Sequence, residues 1–432
     1  MINMKGVFKF KENKTNLKKE VTAGLTSFFS IIYIIAVNGH ILQDAGIPLE
    51  AGIIATVFSS LVGCLLVAFI ANAPLIIVPG MGINALFTYT LVGSLGLNYM
   101  EALGAVVLSG VLFALVAFSK LSVIISRSIP TSLKEAITVG IGLFIAFIGL
   151  QKSGIVVGNT HNFVGLGNLS SSIVIASIIN LIITLFLFLK KVPGNFLISI
   201  IIGTITSYFL GVINFSHIDT SFITFENYKH VFLSFDLRKF TTIPFWTATF
   251  SMTLVLVFEN IGLLHSQVDG MLKAPEKNSK SLKAISISAI VCGLLGTSPT
   301  VSTVETAAGI TAGGRTGLTS VVTGSFILLS LFFLPFIKLV PNTAIAPILI
   351  ILGGLMLTNI VNIDFADFTE AFPAFLIMIM IPLTYSIVDG IAFGFIAYPL
   401  VKLFTNKHKQ LSLSIFIISF LFLTNFLLHS LG

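Results

Sequence analysis

Residues 296–317 read Gly-Thr-Ser-Pro-Thr-Val-Ser-Thr-Val-Glu-Thr-Ala-Ala-Gly-Ile-Thr-Ala-Gly-Gly-Arg-Thr-Gly. The stretch is small and rich in hydroxyl groups and carries Glu305 near its middle, yet it lies between two strongly apolar segments, 285–295 and 318–339. An ionised side chain at the centre of a bilayer costs about 2.5–3.5 kcal/mol on insertion scales, so it normally has a partner or a function. The stretch therefore predicts a polar site inside a membrane-embedded segment.

The rest of the chain is far more apolar than a soluble domain. Its 432 residues are 55% apolar and 9% charged, and the mean hydropathy is +1.04, whereas about a quarter of the residues in soluble proteins are charged. The first apolar run begins near Val21 and has no small-residue cleavage site, which predicts a retained helix and a mature chain that begins at Met1. We interpret the protein as a multi-pass protein of the cell membrane.

Apolar runs of about 20 residues, the length that crosses a bilayer as a helix, divide the chain into two halves. The predicted spans of the first half are 22–43, 50–70, 73–95, 100–120, 134–151, 171–190 and 195–213. Those of the second half are 244–268, 281–297, 299–315, 317–338 and 344–362, followed by an apolar tail with segments 371–387, 389–404 and 411–430. We predict an all-α fold of about 14 transmembrane elements, with a fifteenth at the end of the tail as the alternative.

The distribution of charge predicts the orientation. Residues 1–20 carry six lysines against two glutamates, so the positive-inside rule predicts a cytoplasmic N-terminus. Counting spans from there makes the mixed-charge loop 214–243 external. The formal net charge of +7 follows from this topology, and we expect no nucleic acid partner.

The unusual stretch has a counterpart in the first half. Ala73-Pro74 and Ser298-Pro299 each open a run of extended-prone residues, and the sixth position after the proline is Gly80 in one half and Glu305 in the other, an offset of 225. Proline and β-branched residues disfavour helix. Two halves of seven elements each would have opposite orientations, the inverted repeat of many secondary transporters.

Elements 73–95 and 296–315 are therefore predicted to be half extended and half helical, with two helix starts near the midplane. Irregular backbone at membrane depth is tolerated where it is buried or lines a cavity, which favours a binding site for a polar ligand. The glycines of the second element are equally compatible with close helix packing.

Two carboxylates are predicted to lie at the midplane, Glu305 and Glu259, which is fifteen residues into its span. Burial favours the protonated form of a carboxyl group, so one of them is a candidate for proton coupling while the other accepts hydrogen bonds from a substrate. Tyr33, on the first span, is a further candidate for substrate binding. Asn84, on the opening turn of the span-three helix, is able either to cap that helix or to face a ligand.

No pattern in the sequence indicates an enzyme. A nucleotide-binding glycine-rich lysine loop, a nucleophile elbow and a metal-binding histidine pair are all missing from the sequence. We expect no cofactor and no metal. A channel is the other membrane class, but it needs no pair of titratable groups at the midplane.

Three motifs resemble the nucleobase/ascorbate transporter superfamily, most closely its AzgA-like hypoxanthine/guanine/adenine permease branch. They are the segment 79–89, Pro-Gly-Met-Gly-Ile-Asn-Ala-Leu-Phe-Thr-Tyr, the run 127–154, and the segment 296–318 with Glu-Thr-Ala-Ala-Gly and Gly-Gly-Arg-Thr-Gly-Leu. The resemblance covers nearly the whole chain.

This resemblance implies a seven-plus-seven inverted repeat and proton-coupled uptake of a free purine base. It implies a core domain (21–120 and 244–338) and a gate domain (121–213 and 339–432), besides the basic N-terminus 1–20 and the external loop 214–243. The base would lie between the domains, held by Glu259 and Glu305. Carried over by position, the other residues that line it are Met81, Gly82, Thr303, Val304 and Thr306. The expected partners are a purine base, protons and the lipid bilayer, and a homodimer is compatible with them.

The chain departs from this branch in one span. The branch has Asp-Thr where this sequence has Glu259-Asn260, and a later Thr is Leu263 here. These residues resemble the uracil and xanthine permeases, which leaves a uracil- or xanthine-type permease as the alternative. An anion carrier on the same fold is the other alternative, although two carboxylates would repel its substrate.

Overall fold

The computed structural model describes residues 4–119, 129–159, 163–214 and 225–431. Arg127 of the second motif and residues 215–224 of the predicted external loop lie outside these ranges. The described residues form an all-α membrane protein in which four short strands make two small antiparallel ladders.

The first half of the chain contains the two half-helical parts of the third predicted span and the helices around it. Its elements are α1 (Met4–Val7), α2 (Leu17–Ile31), α3 (Tyr33–Asp44), α4 (Leu49–Ala71), β1 (Ile77–Pro79), α5 (Met81–Ala85), α6 (Tyr99–Phe118), α7 (Thr131–Lys152), β2 (Val156–Asn159), β3 (Phe163–Leu166), α8 (Ser172–Leu189) and α9 (Asn195–Phe209). A π-helical segment, Leu86–Ser94, continues α5.

The second half repeats this arrangement. Its elements are α10 (Glu226–Lys229), α11 (Ile243–Leu264), α12 (Asn278–Leu295), β4 (Thr300–Ser302), α13 (Thr306–Thr311), α14 (Gly317–Leu329), α15 (Leu334–Ile337), α16 (Asn342–Met356), α17 (Phe368–Thr384), α18 (Ile387–Phe404) and α19 (Leu413–Leu431). A second π-helical segment, His265–Met271, continues α11.

The predicted spans are confirmed as helices or half-helices, with end shifts of a few residues. Nine helical stretches of the described chain are long and apolar enough to cross a membrane. The apolar tail forms three helices, α17, α18 and α19. These three helices match the three predicted segments of the tail.

The two half-extended elements are confirmed and pair with each other. β1 and β4 run antiparallel with Val78 opposite Val301. Gly80 precedes α5 as its N-cap residue and Glu305 precedes α13 in the same way. The offset of 225 read from the sequence therefore relates two equivalent helix starts.

The helices before the two crossing elements also end alike. Asn72 follows α4 and Gly296 follows α12, both in the left-handed backbone conformation that asparagine and glycine tolerate best. A Cβ at Gly296 would lie 2.8 Å from the carbonyl oxygen of Val231. Each element thus turns sharply back into the molecule.

Helix packing falls into two groups. In one, α4 packs on α3, α12 and α14, while α6 packs on α11 and α12. In the other, α7 packs on α16 and α17, α17 packs on α18, and α8 packs on α9 and α16. Close approach within the first group depends on small residues, since a Cβ at Gly110 of α6 would lie 2.6 Å from the amide nitrogen of Ile290 in α12.

A buried polar cluster joins the N-terminal segment to the chain that follows α13. The Glu20 carboxylate accepts hydrogen bonds from the Arg315 amide (3.0 Å) and the Thr319 hydroxyl (2.7 Å). Lys277 Nζ donates to the Arg315 carbonyl (2.9 Å) and to Asn13 Oδ1 (2.8 Å). These bonds satisfy buried charges and hold the end of the second crossing element.

Candidate functional site

The candidate site is built around the two helix starts that the ladder of β1 and β4 brings together. The strands end at Pro79 and Ser302, and the helices begin at Met81 and Thr306. The first amide groups of a helix have no partner inside it. Because the strands are antiparallel and the ladder has only three residue pairs, the two helix starts lie at its opposite ends within the apolar body of the protein.

Glu259, on α11, lies against the start of α5. A Cβ at Gly80 would be 3.5 Å from Glu259 Oε1, and a Cβ at Gly82 would be 4.0 Å from Oε2. The side chain is half-buried. Within the part of the chain that the structure describes, no hydrogen-bond partner contacts this carboxylate. The Glu259 oxygens are therefore acceptors that no described protein group satisfies.

Glu305, the N-cap residue of α13, has one strong partner. Tyr33 Oη donates a hydrogen bond to Glu305 Oε1 at 2.5 Å. Tyr33 is the first residue of α3, directly after the break in helix at Ile32, and it is 3% exposed. Its ring packs edge-on against Phe196 of α9 at 5.0 Å between centroids. The sequence-predicted residues Tyr33 and Glu305 are thus brought together.

Three residues close in sequence to Glu305, to Glu259 or to the start of α5 are loosely packed. Val304 is 58% exposed although its neighbours Ser302 and Thr306 are fully buried. Met81 is half-buried, and a Cβ at Gly262, three residues after Glu259, would meet no atom within 4 Å. Val304, Met81 and Gly262 are therefore less tightly packed than the residues beside them.

The side chains of Thr306 and Asn84 form hydrogen bonds within the protein. The Ile76 amide donates to Thr306 Oγ1 at 3.0 Å, which ties α13 to the chain just before β1. Asn84 is fully buried, and its Oδ1 accepts a hydrogen bond from the Ser298 hydroxyl. The side chain therefore links the two crossing elements through Oδ1, while its Nδ2 has no hydrogen-bond partner among the described residues.

Thr303 has a structural partner that the sequence analysis missed. Its carbonyl oxygen accepts a hydrogen bond from Gln267 Nε2 at 2.7 Å. Gln267 is 3% exposed and belongs to the π-helical segment after α11. A buried amide side chain within an apolar span was the signal available in the sequence.

The other end of the molecule is closed by contacts between the two packing groups. Lys152, at the end of α7, forms a salt bridge of 2.6 Å with Asp44, at the end of α3. Tyr89 donates to the same carboxylate at 2.6 Å, and Tyr385 donates to Gln151 Oε1 at 2.9 Å. The rings of Tyr89 and Tyr385 contact each other at 5.6 Å.

Comparison with known families agrees with this geometry. A family model described as the Permease family matches residues 18–393, which include both carboxylates and both crossing elements. The chain belongs to this permease family. It is a multi-pass membrane transporter and not an enzyme, and the resemblance to the nucleobase/ascorbate transporters is confirmed.

Three relatives of this permease have names that describe substrates. Nucleobase transporter PlAzg2 of Paenibacillus larvae is 45% identical over 89% of this chain and 77% of its own length. Guanine/hypoxanthine permease PbuO of Bacillus subtilis is 37% identical over 96% of this chain and 98% of its own length. Adenine permease AdeP of Escherichia coli is 34% identical over 96% of this chain and 94% of its own length.

Solved structures share the fold of this permease at much lower identity. The transmembrane domain of the cyanobacterial bicarbonate transporter BicA superposes with a TM-score of 0.68 at 16% identity, covering 87% of this chain and 97% of that one. SLC26A9 superposes with a TM-score of 0.67 at 14% identity, covering 93% of this chain and 68% of that one. These similarities concern the fold alone.

Proposed function

We propose that this permease is a secondary active transporter that takes up free purine nucleobases, hypoxanthine, guanine or adenine, by proton symport with alternating access. The observation that carries the proposal is the pair of carboxylates at the helix starts, above all Glu259, whose oxygens have no partner among the described residues. The names of the relatives, which are guanine, hypoxanthine and adenine permeases, support the same substrate class.

The chemistry of a purine base fits such a site. A base is a flat, neutral ring with N–H donors on its edge, and carboxylate oxygens accept strong hydrogen bonds from such donors. We propose that Glu259 and Glu305 hold the ring, and that Met81, Gly82, Thr303 and Val304 line it. Thr306 and Tyr33 would then support this arrangement, since their side-chain hydroxyls are bonded within the protein. Asn84 would support it through Oδ1 and contact the base through Nδ2, which has no partner among the described residues.

An anion carrier is the weaker alternative. Two carboxylates in one water-poor space repel an anionic substrate, and the bicarbonate transporter shares only the fold with this chain. A uracil- or xanthine-type permease remains the alternative within the family, and it differs from our proposal only in the base that is bound.

For the coupling, we propose that a proton binds to Glu259 or Glu305 together with the base. Alternating access would be a movement of the core domain (21–120 and 244–338) against the gate domain (121–213 and 339–432). The two groups of packed helices follow this division. The salt bridge of Asp44 with Lys152 crosses it, so it would break when the side on which it lies opens. A cytoplasmic N-terminus and a homodimer belong to the same proposal.

Transport into vesicles that contain the purified protein tests the proposal. An inward proton gradient should drive accumulation of radiolabelled hypoxanthine, guanine or adenine, and Glu305→Gln should abolish it, because the neutral amide neither carries a proton nor accepts the same bonds. Glu226→Gln is the matched control, since Glu226 is exposed on α10. If none of the purine bases competes with another for binding, the substrate class is wrong. If accumulation ignores the proton gradient, symport is wrong.

A further inference from the structure

Gln267 forms two hydrogen bonds that connect the eighth span, which is α11 with its π-helical segment, to the end of β4, the strand that leads to Glu305. Its Nε2 donates to the carbonyl oxygen of Thr303 at 2.7 Å, and its Oε1 accepts from the hydroxyl of Ser302 at 2.5 Å. Asn260, on the same span, accepts from the Ser302 amide at 3.3 Å. The eighth span therefore holds both the backbone and the side chain at the end of β4.

This bridge connects the two carboxylates. Glu259 and Gln267 lie on the same continuous helix, formed by α11 and the π-helical segment. Ser302 and Thr303 lie three and two residues before Glu305, respectively. The position of Glu305 relative to Glu259 thus depends on how β4 sits against the eighth span.

β4 has other contacts along its length. It has three residues and pairs only with β1 among the described strands, and a two-stranded ladder of that length is marginal by itself. The Ser288 hydroxyl bonds the hydroxyl of Thr300 at 2.6 Å, at the far end of the strand. At the end nearest Glu305, Ser302 lies opposite Ile77 in the ladder, and Gln267 and Asn260 add the side-chain hydrogen bonds to this end.

The π-helical segment gives Gln267 its place. Leu272 donates its amide to the Gln267 carbonyl at 2.8 Å, a bond across five residues. Such wider turns are rare and occur frequently at functional sites. Because the buried amide is fully paired on both of its polar atoms, it fixes one arrangement of strand and helix.

We infer that Gln267 is a positioning residue that sets the separation of Glu305 from Glu259 and thereby the selectivity among purine bases. The inference rests on the proposed function of the site. Purine bases differ in which ring atoms and exocyclic groups donate or accept hydrogen bonds. A site with buried polar groups discriminates strongly between such patterns, and a shift of a carboxylate by a fraction of an ångström changes that discrimination.

Competition experiments on the purified full-length protein test this role. For the wild type and Gln267→Leu, the half-inhibiting concentrations of hypoxanthine, guanine and adenine are measured against a radiolabelled base. Loss of both bonds should weaken binding of the preferred base by roughly tenfold and change the ratio between the bases by several-fold. Gln267→Glu retains the acceptor for Ser302. Its half-inhibiting concentrations should therefore lie between those of the wild type and those of Gln267→Leu.

Asn180→Leu is the matched control, because Asn180 is a buried amide of α8 that donates to the carbonyls of Gly203 (3.2 Å) and Thr343 (3.1 Å) away from the site. It should lower the thermal midpoint and leave the ratio between bases unchanged. Ser302→Ala should change the ratio in the wild type but add nothing to Gln267→Leu, since the bond it removes is already lost.

The outcomes separate the two proposals. If the wild type binds purine bases but the ratio stays constant in Gln267→Leu, or if Ser302→Ala acts additively, the positioning role is refuted while the function stands. If the wild type binds no nucleobase, the proposed function fails first. Should Gln267→Leu not fold, Gln267→Glu and Ser302→Ala each remove one bond, and an unchanged ratio in both refutes the inference.

Discussion

Replacing Tyr33 by phenylalanine removes one hydrogen bond from the candidate site and little else. The Tyr33 hydroxyl donates to Glu305 at 2.5 Å, while its ring packs against Phe196 and would keep that contact as phenylalanine. A hydrogen bond to a charged group contributes about 1.5–3 kcal/mol. Under the proposed function, loss of this bond lets Glu305 turn away from its substrate-binding position.

The expected effect is a fall in affinity for the preferred base of roughly 10- to 150-fold, since 1.4 kcal/mol corresponds to a factor of ten. Binding is measured by competition against a radiolabelled base in detergent, and uptake is measured in vesicles. Both measurements use protein whose thermal midpoint has been compared with that of the wild type, so that loss of folding is not mistaken for loss of binding.

Tyr228→Phe is the matched control for this substitution. The Tyr228 hydroxyl is buried on α10 but has no hydrogen-bond partner among the described residues, so its removal should leave affinity unchanged and not lower stability. If Tyr33→Phe binds the base within twofold of the wild type, the hydroxyl does not hold Glu305 for binding, and this reasoning is refuted.

Three further results are expected. Lys152→Glu should slow uptake by placing two carboxylates together, and the swapped pair Asp44→Lys with Lys152→Glu should restore much of it, because the salt bridge of 2.6 Å is re-formed; vesicle uptake measures both. Gly317→Ala should lower the thermal midpoint, since the new Cβ would lie 2.3 Å from a backbone carbonyl oxygen of α4. The hydrogen bond from Lys407 holds the pKa of Asp367 well below its ordinary value, so the stability that Asp367 contributes is present at neutral pH and is lost only as the pH falls below about 4, the unfolded value. The difference in thermal midpoint between the wild type and Asp367→Asn should therefore be constant from pH 8 to 5 and shrink below that; a constant difference down to pH 3 would contradict it.

Much of the fold could be predicted because its signals are local. Apolar length defines the spans, and proline followed by β-branched residues marks the two extended segments, with the helix starts at Gly80 and Glu305. The tail was harder to predict from the sequence. The short break between α17 and α18 depends on Tyr385, which has a left-handed backbone conformation although it is not glycine. Nothing in the adjacent sequence requires that conformation.

The partners of the candidate residues could not be predicted, because depth in the membrane gives no side-chain direction. Tyr33 and Glu305 are 272 residues apart in sequence. Asn84 and Thr306 have the right depth, yet their side chains bond within the core and join the two crossing elements. Gln267 was missed for the same reason, since its role depends on the π-helical turn that directs it toward Ser302 and Thr303.

The two helix starts occupy equivalent places in the two halves but differ in how each meets a carboxylate. At α13 the carboxylate belongs to the N-cap residue itself, Glu305, whereas α5 has Gly80 at the equivalent position. Glu259 supplies a carboxylate there from another span, and its oxygens lie beside Gly80 and Gly82, within 3.5 and 4.0 Å of where a Cβ at each would be. A carboxylate is favourable beside a helix N-terminus, so the arrangement stabilises two acidic groups in an apolar setting. Glu305 follows β4, whereas Glu259 lies on α11. A ligand that bonds both carboxylates would therefore add a further link between the strand and this helix.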